Sequence, residues 1–422
     1  MMRLRAGGKL MVGITPVARP KGNTNVAMNS IRFAAAFLVV IFHLRSLFVV
    51  DFSETAVGGP ITVALYGIMS LGHQAVIVFF VLSGFWVGGS VINGVRERRF
   101  SAGAYASARL IRLWIVLIPA IVLTLILDAA GTALHAGSDI YVGSAAYHSL
   151  IPLDRVEAHT SALSAVGNMF FLQDIYVPTV GGNSPLWSLA AEFWYYLLFP
   201  AVVVAVWKGV SLRARLVAIV VIVLLVAILS VGPLESSSRV LILAPTWAIG
   251  AGVAWFREDI EAWPNRRTSP AVFGLRIALG VAVLIATVVD SRIWNAGTTY
   301  VLAVVAALWL ASLVTDVRSR VARTVLMPFS FAAEWSYSLY AIHLPILALV
   351  AATIVPLASD RWQLTAWSAL LCLAISLIPV AAAMVFYVLF ERNTNSVRKL
   401  LRRVASARMG NTKPRMSVGT TS

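Results

Sequence analysis

The stretch Ile31–Leu44, IRFAAAFLVVIFHL, sets one arginine and one histidine inside a run otherwise apolar enough to enter a membrane. On an α-helix the eleven steps from Arg32 to His43 make about three full turns and rise roughly 16 Å, so the two side chains share one face at different depths. Arg32 then sits near one end of a spanning helix and His43 about two-thirds of the way across. For that pair alone the plain reading is an interfacial anchor and a hydrogen-bonded core histidine; the richer one is a polar path through the bilayer.

The rest of the chain shows that a bilayer is the right environment. It has 422 residues, of which 59% are hydrophobic and only 12% charged, with a mean hydropathy of +0.84. That composition belongs to a chain that crosses a membrane repeatedly, not to a soluble domain. Apolar runs of spanning length fall at about 30–50, 73–93, 110–130, 186–207, 214–232, 239–256, 272–290, 298–315, 336–356 and 364–390. The expected fold is therefore an all-α integral membrane protein, a single polytopic bundle of about ten transmembrane helices. No cleavable signal peptide is expected, because the first apolar run begins near Ser30 and continues too far for one. Cys372 is the only cysteine and lies in an apolar run, which excludes an intramolecular disulfide and a cysteine metal cluster and points to packing.

The basic residues test the span count independently. Arg3, Arg5, Lys9, Arg19 and Lys21 precede the first span. Arg96, Arg98, Arg99, Arg109 and Arg112 follow the second, Lys208, Arg213 and Arg215 the fourth, and Arg257, Arg266, Arg267 and Arg276 the sixth. Arg318, Arg320 and Arg323 follow the eighth, and a basic tail runs from Arg392 to Arg415. The alternate connections hold only Arg155, Arg239, Arg292 and Arg361, with Arg45 near the end of the first helix. Positive residues collect in cytoplasmic loops, so both termini are expected in the cytoplasm. The same distribution explains a net charge of +16 without nucleic acid, since the charge is spread over every second loop and not gathered on one module. The expected organisation is a cytoplasmic tail at 1–28, a transmembrane domain at 29–391 with an outside loop at about 131–185, and a cytoplasmic tail at 392–422. That last tail either lies against anionic headgroups or is disordered.

Three further stretches carry polar groups at membrane depth. PLWSLAAEFWYY (185–196) places Glu192 roughly 8 Å inside the outer end of the fourth helix, a depth similar to that of His43. A carboxylate there is costly and marks a paired or functional site. A histidine beside a glutamate suits a general base and the group that orients it. Ser188 and Tyr195 are expected on the face of Glu192, while Trp187 and Trp194 either stack on a sugar or anchor at the interface. In SYSLYAIHLP (336–345), Ser336, Tyr340 and His343 form a polar stripe with Pro345 expected to kink the helix, a pattern that also serves plain helix-to-helix hydrogen bonding. In VFFVLSGFWVGGS (78–90), Ser83, Gly84, Gly88 and Gly89 permit close helix packing, within one bundle or between two, so an oligomer stays open. Arg109 and Arg112, three apart, face the same way at a helix start; with Arg96, Arg98 and Arg99 they serve either topology or a polyanion such as the phosphates of coenzyme A. Phosphate loops, metal-binding helices and serine-hydrolase elbows are absent from the sequence.

Taken in order, IRFAAAFLVVIFH, FFVLSGF, RLIR, PLWSLAAEFWYY and SYSLYAIHLP, with WAIGAGVAW (247–255) between the last two, resemble the acyltransferase-3 family of integral membrane acyltransferases over about Asn29 to Glu391. The resemblance implies transfer of an acyl group, commonly acetyl, from cytoplasmic acyl-CoA to a sugar hydroxyl of a surface polysaccharide, lipopolysaccharide or related glycolipid, in a bacterial cytoplasmic (inner) membrane. It implies that His43 is the essential first-helix histidine, Arg32 its partner, Arg109 and Arg112 the donor-linked pair, and Glu192 the motif's carboxylate. Acyl-CoA would be a co-substrate, with no permanently bound cofactor and no metal. The chain departs from the family at Ile77, where an acidic residue is common before FFVLSGF, and no fused hydrolase-like domain, as some members carry, is expected from the residues after Glu391. Direct attack on the thioester and an acyl-His43 intermediate both stay open. Small-molecule glycosides as acceptors, and a secondary transporter or flippase as another class altogether, are the alternatives.

Overall fold

A computed structural model describes residues 23–147, 150–151, 155–234, 237–262, 270–314 and 320–410. Ten helices in it are long and apolar enough to cross a membrane: α1 (Val26–Phe48), α2 (Gly72–Arg96), α3 (Ala102–Leu134), α4 (Leu186–Val206), α5 (Leu212–Ser230), α6 (Ser238–Trp255), α7 (Ala271–Ile293), α8 (Ala296–Val314) and α9 (Ser336–Ile354), with α10 beginning at Ala366. Nineteen residues at 1.5 Å each give roughly 28 Å, close to the hydrocarbon thickness of a bilayer. Among the described residues there is no strand. The protein is an all-α integral membrane bundle.

Local chemistry starts and sustains these helices. Ser101, Ser211 and Thr365 cap α3, α5 and α10 by accepting from Ala104, Ala214 and Ser368 backbone amides. Proline lies inside α3, α4, α6, α9 and α10 without ending any of them; α9 runs unbroken through Pro345. Buried helices tolerate proline because neighbours re-satisfy the freed carbonyls.

The spans alternate, so the bundle has two chemically different ends. At the basic end Arg96 pairs with Glu258, Arg276 bonds the Ser312 carbonyl and Arg32 the Ala333 carbonyl. At the other, the loop end, the described parts of the segment 135–185 fold over the bundle with short helices at Asp139–Val142 and Ala162–Met169. Ser138 donates to the Pro356 carbonyl at 2.9 Å, and the buried Arg361 bridges Asp51 (3.2 Å) and Glu54 (3.0 Å). The N-terminal basic residues, Arg266, Arg267, Arg318 and the tail from 411 onward lie outside the described residues.

Burial separates a hub from a rim. Two-thirds of the most apolar window of α2 and of α9 is buried inside the protein, against 11% for α5, which presents Val217, Val220, Val223 and Leu224 outward. A helix apolar all round and mostly uncovered has lipid as its neighbour. At the hub, α6 crosses α2 so closely that a Cβ on Gly84 would collide with the Trp247 carbonyl, and one on Gly250 with the Val81 carbonyl. The glycine stretch thus packs within one bundle. At the same place α2 opens into a π turn, Gly84–Gly88, that leaves Ser83 facing the interior.

Among the helical pieces without a sequence counterpart are Pro60–Met69, Ala162–Met169, Arg257–Ala262, Arg320–Ala332 and a tail helix, α11 (Thr394–Gly410). The tail expected from Arg392 to Arg415 to lie against headgroups or be disordered is helical as far as Gly410, and Arg398 of α11 donates to the Ala108 carbonyl of α3 at 3.3 Å.

Candidate active site

Two of the six histidines meet in the middle of the hub. His43 Nδ1 lies 2.8 Å from the Val39 carbonyl and 3.0 Å from His343 Nε2. His343 Nδ1 in turn faces the carbonyls of Leu339 (3.1 Å) and Tyr340 (2.9 Å). Carbonyls only accept, so the proton of neutral His343 is on Nδ1 and its Nε2 is an acceptor. His43 must then carry its own proton on Nδ1, shared between Val39 and His343, and the lone pair of its Nε2 points away from both. That Nε2 has no hydrogen-bond partner among the described residues and is not sealed by protein atoms. A buried imidazole (7% exposed) held in one tautomer with a free lone pair is the geometry of a general base.

Toward the basic end follows a hydroxyl level. Tyr340 and Ser188 hydroxyls are 2.7 Å apart, and both reach the Pro185 carbonyl at 3.2 Å. Below it lies a charged chamber. Glu192 of α4 lies beside Ser83 and Tyr196, whose hydroxyls are 3.4 Å apart, and Arg109 and Arg112 of α3 are nearby charges. Ser83 also takes a bond from Trp247 Nε1 at 3.1 Å. Arg109 donates to Ser90 (3.2 Å) and lies over the rings of Tyr105 and Tyr196 at 5.4 and 5.7 Å. Glu391, just past α10, accepts from the Ser338 hydroxyl (2.6 Å) and amide (3.2 Å), with Arg112 and Arg32 nearby. Arg32, Ser83, Ser90, Arg109, Glu192 and Tyr337 all keep partial exposure, and Arg112 is exposed. Three arginines against two carboxylates leave this open, polar space net positive, suited to an anion.

The expected pairing of His43 with Glu192 is therefore corrected: the partner of His43 is His343. Depth counted from helix ends misled, because α4 starts already sunk in the bundle, its capping Pro185 carbonyl level with Tyr340. Glu192, one turn deeper, falls below the histidines. Tyr195 is corrected as well: its hydroxyl donates to the Val240 carbonyl (2.8 Å), and Tyr196 takes the place beside Glu192. Ser336 bonds only its own turn, at Ala333. Of the arginines proposed for a polyanion, Arg109 and Arg112 face the chamber, whereas Arg98 and Arg99 are exposed in the turn after α2, Arg99 paired with Glu97.

Trp187 is at the loop end, beneath the Arg239 guanidinium (5.3 Å) and flanking His73, which stacks on Trp294 at 4.6 Å. Trp194 donates to the Phe171 carbonyl at 3.0 Å and ties α4 to the covering loop. Ile77 is wholly buried; one turn earlier on α2, Gln74 donates to Asp290 of α7 at 2.9 Å. Sequence reasoning missed Glu391, Ser83 and Tyr196. Glu391 had a signal, an acid directly after the last apolar run; Ser83 and Tyr196 had none, since nothing local distinguishes an inward serine or tyrosine. Among the described residues no three His, Cys, Asp or Glu side chains converge on a metal position.

A family model described as an acyltransferase domain, acyltransferase-3, matches residues 25–386. No curated protein and no solved structure matches significantly.

Proposed function

This chain belongs to the acyltransferase-3 family and is a membrane acyltransferase, and from that premise we propose that it moves an acyl group, acetyl in the simplest case, from acyl-CoA to a sugar hydroxyl of a surface or exported glycan or glycolipid. The observation that carries the reading is the His43–His343 pair at the inner limit of an arginine-lined chamber.

The basic end faces the cytoplasm of a bacterial inner membrane, by the bias of positive charge toward that side. Arg109, Arg112 and Arg32 attract the CoA phosphates, and the pantetheine arm carries the thioester inward past Tyr340. His43 Nε2 takes the proton of the sugar hydroxyl as its oxygen attacks the thioester carbonyl carbon. The C–S bond breaks, and the imidazolium returns the proton to the departing thiolate, leaving neutral His43, an acyl ester and CoA thiol. While His43 is charged, its Nδ1–H is a stronger donor, and His343 Nε2 is placed to accept it. Glu192 acts in the chamber, balancing Arg109 and Arg112, and not on His43.

The test compares base-labile acyl esters on the host's surface glycans, by mass spectrometry, in a deletion strain complemented by wild type or by His43→Ala. An ester restored only by wild type supports the proposal, its mass naming the acyl group. Identical spectra in deletion and wild type remove surface glycans as the acceptor and advance small-molecule glycosides.

A further inference from the structure

Pro345 leaves a gap in α9 at the turn that carries His343. Proline has no N–H, so the carbonyl four residues earlier, that of Ala341, loses its donor within the helix. Ala341 is wholly buried, and a buried carbonyl left without a donor is costly. The donor comes from a distant segment. Asn183, also wholly buried, reaches the Ala341 carbonyl with Nδ2 at 2.9 Å and Thr124 Oγ1 of α3 with the same nitrogen at 2.9 Å. A carbonyl only accepts, and the Thr124 hydroxyl proton goes to the Ala120 carbonyl at 2.9 Å. Both contacts therefore need the amide nitrogen, which fixes the orientation of the Asn183 side chain. The turn that presents Asn183 is itself set on α3. The Gly182 amide donates to Asp128, one turn from Thr124, at 2.9 Å, and Gly181 has a φ of +53°, where a Cβ would strike that carboxylate. The Asn183 carbonyl accepts from the Leu186 amide at 3.3 Å, where α4 begins. One residue thus ties α3 and the start of α4 to the turn of α9 in which His343 stands.

We propose that Asn183 is a positioning residue for the histidine pair: it supplies the hydrogen bond that Pro345 leaves unmade and so sets the direction in which α9 offers His343 Nε2 to His43. The inference rests on the proton-transfer role given to His43 above. His343 stands between Ala341 and Pro345, and its ring is held by carbonyls of the same stretch, Leu339 at 3.1 Å and Tyr340 at 2.9 Å. The 3.0 Å contact with His43 therefore moves with the backbone of that turn. An unpaired Ala341 carbonyl would tilt the turn in search of a donor, and a misplacement of about 1 Å is enough to cost about a hundredfold in rate.

The gap can be closed in a second way, which supplies the test. Pro345→Ala restores an N–H four residues after Ala341, so in that background Asn183 becomes dispensable. The full chain is assayed in nanodiscs with acetyl-CoA and the host's lipid-linked envelope saccharide, freed of esters by base. Asn183→Ala is expected to lower kcat about tenfold or more while donor KM stays within about twofold. Added to Pro345→Ala, the same substitution should cost less than about threefold. Thr124→Val cuts the other contact of Asn183 and spares the one to Ala341, so it too should stay within about threefold. An unchanged kcat in Asn183→Ala overturns the proposal. So does a fall that is equal in both backgrounds or matched by Thr124→Val, which would make Asn183 an anchor of the covering loop alone. Asn183→Leu, which keeps the bulk and loses the donor, takes the place of Asn183→Ala in these comparisons if the latter does not fold. If wild type forms no ester, the functional reading fails by itself, and nitrogen solid-state NMR of histidine-labelled protein in bilayers decides the positioning role. His343, assigned by its loss in His343→Gln, should carry its proton on Nδ1 alone in wild type. A second tautomer that appears in Asn183→Ala and disappears when Pro345→Ala is added sustains the proposal, and unchanged spectra remove it.

Discussion

The histidine pair and the carboxylate chamber are both polar clusters in the hub, yet they are built on opposite principles. His43 and His343 are buried, and every ring nitrogen but one is engaged, which leaves a single lone pair with one direction. Glu192, Arg109 and Arg112 keep exposed surface, and Arg109 meets Ser90, Tyr105 and Tyr196 at once, which leaves a charged field with slack. A rigid, satisfied pair suits a step in which one proton must move; an open, redundant field suits holding a large flexible anion. Under the proposed function, the contrast ties kcat to the first cluster and donor KM to the second.

The most damaging change should be His43→Ala, with acetyl-CoA-dependent ester formation in nanodiscs falling by roughly 10²–10⁴, the span of a lost general base. His343→Gln should come next, with kcat lowered by about tenfold or more and donor KM nearly unchanged. Its pH–rate profile should shift, because the group that fixes the His43 tautomer has been replaced; a lower yield of folded protein with an unmoved profile would make His343 merely structural. Arg109→Ala and Arg112→Ala should each raise the acyl-CoA KM about 10–150-fold, the equivalent of about 1.5–3 kcal/mol for a charge-assisted contact. That effect should shrink in high salt. Glu192→Gln should alter donor KM by less than either arginine change and leave kcat within about threefold. A collapse of kcat there would break the comparison and return Glu192 to the proton-transfer step. The smallest effect belongs to Arg98→Ala and Arg99→Ala, within about twofold on either constant, as for exposed charges.

Much of this was legible in the sequence, and what was not has a common cause. The ten spans fall where they were expected, most within a few residues although α3 begins well ahead of 110, at Ala102, because hydropathy and length are properties of a segment by itself. His43, Arg32, Glu192, Arg109 and Arg112 were found since an ionisable residue stands out in an apolar run. The extra helix Arg320–Ala332 escaped because it is short and partly polar, and α11 because a basic amphipathic tail reads equally as surface-bound or disordered. Glu192 was correctly placed in its helix and wrongly partnered across helices; Tyr195 was chosen over Tyr196 because a residue three on and a residue four on are both neighbours on a helix surface.

By itself, then, the order of residues determined that the chain is a membrane bundle, where each helix lies along the chain, and which polar groups would be buried. It could not say which faces meet. The rotation and depth of each helix follow from packing: α6 can approach α2 only where Gly84 and Gly250 remove the side chains between them, and α4 sinks until the Pro185 carbonyl meets Tyr340. Those contacts join residues 43 with 343, 188 with 340, and 391 with 338. Such pairings depend on side-chain shape across distant segments, and a one-residue turn of any helix, about 100°, would dissolve them while leaving its hydropathy untouched.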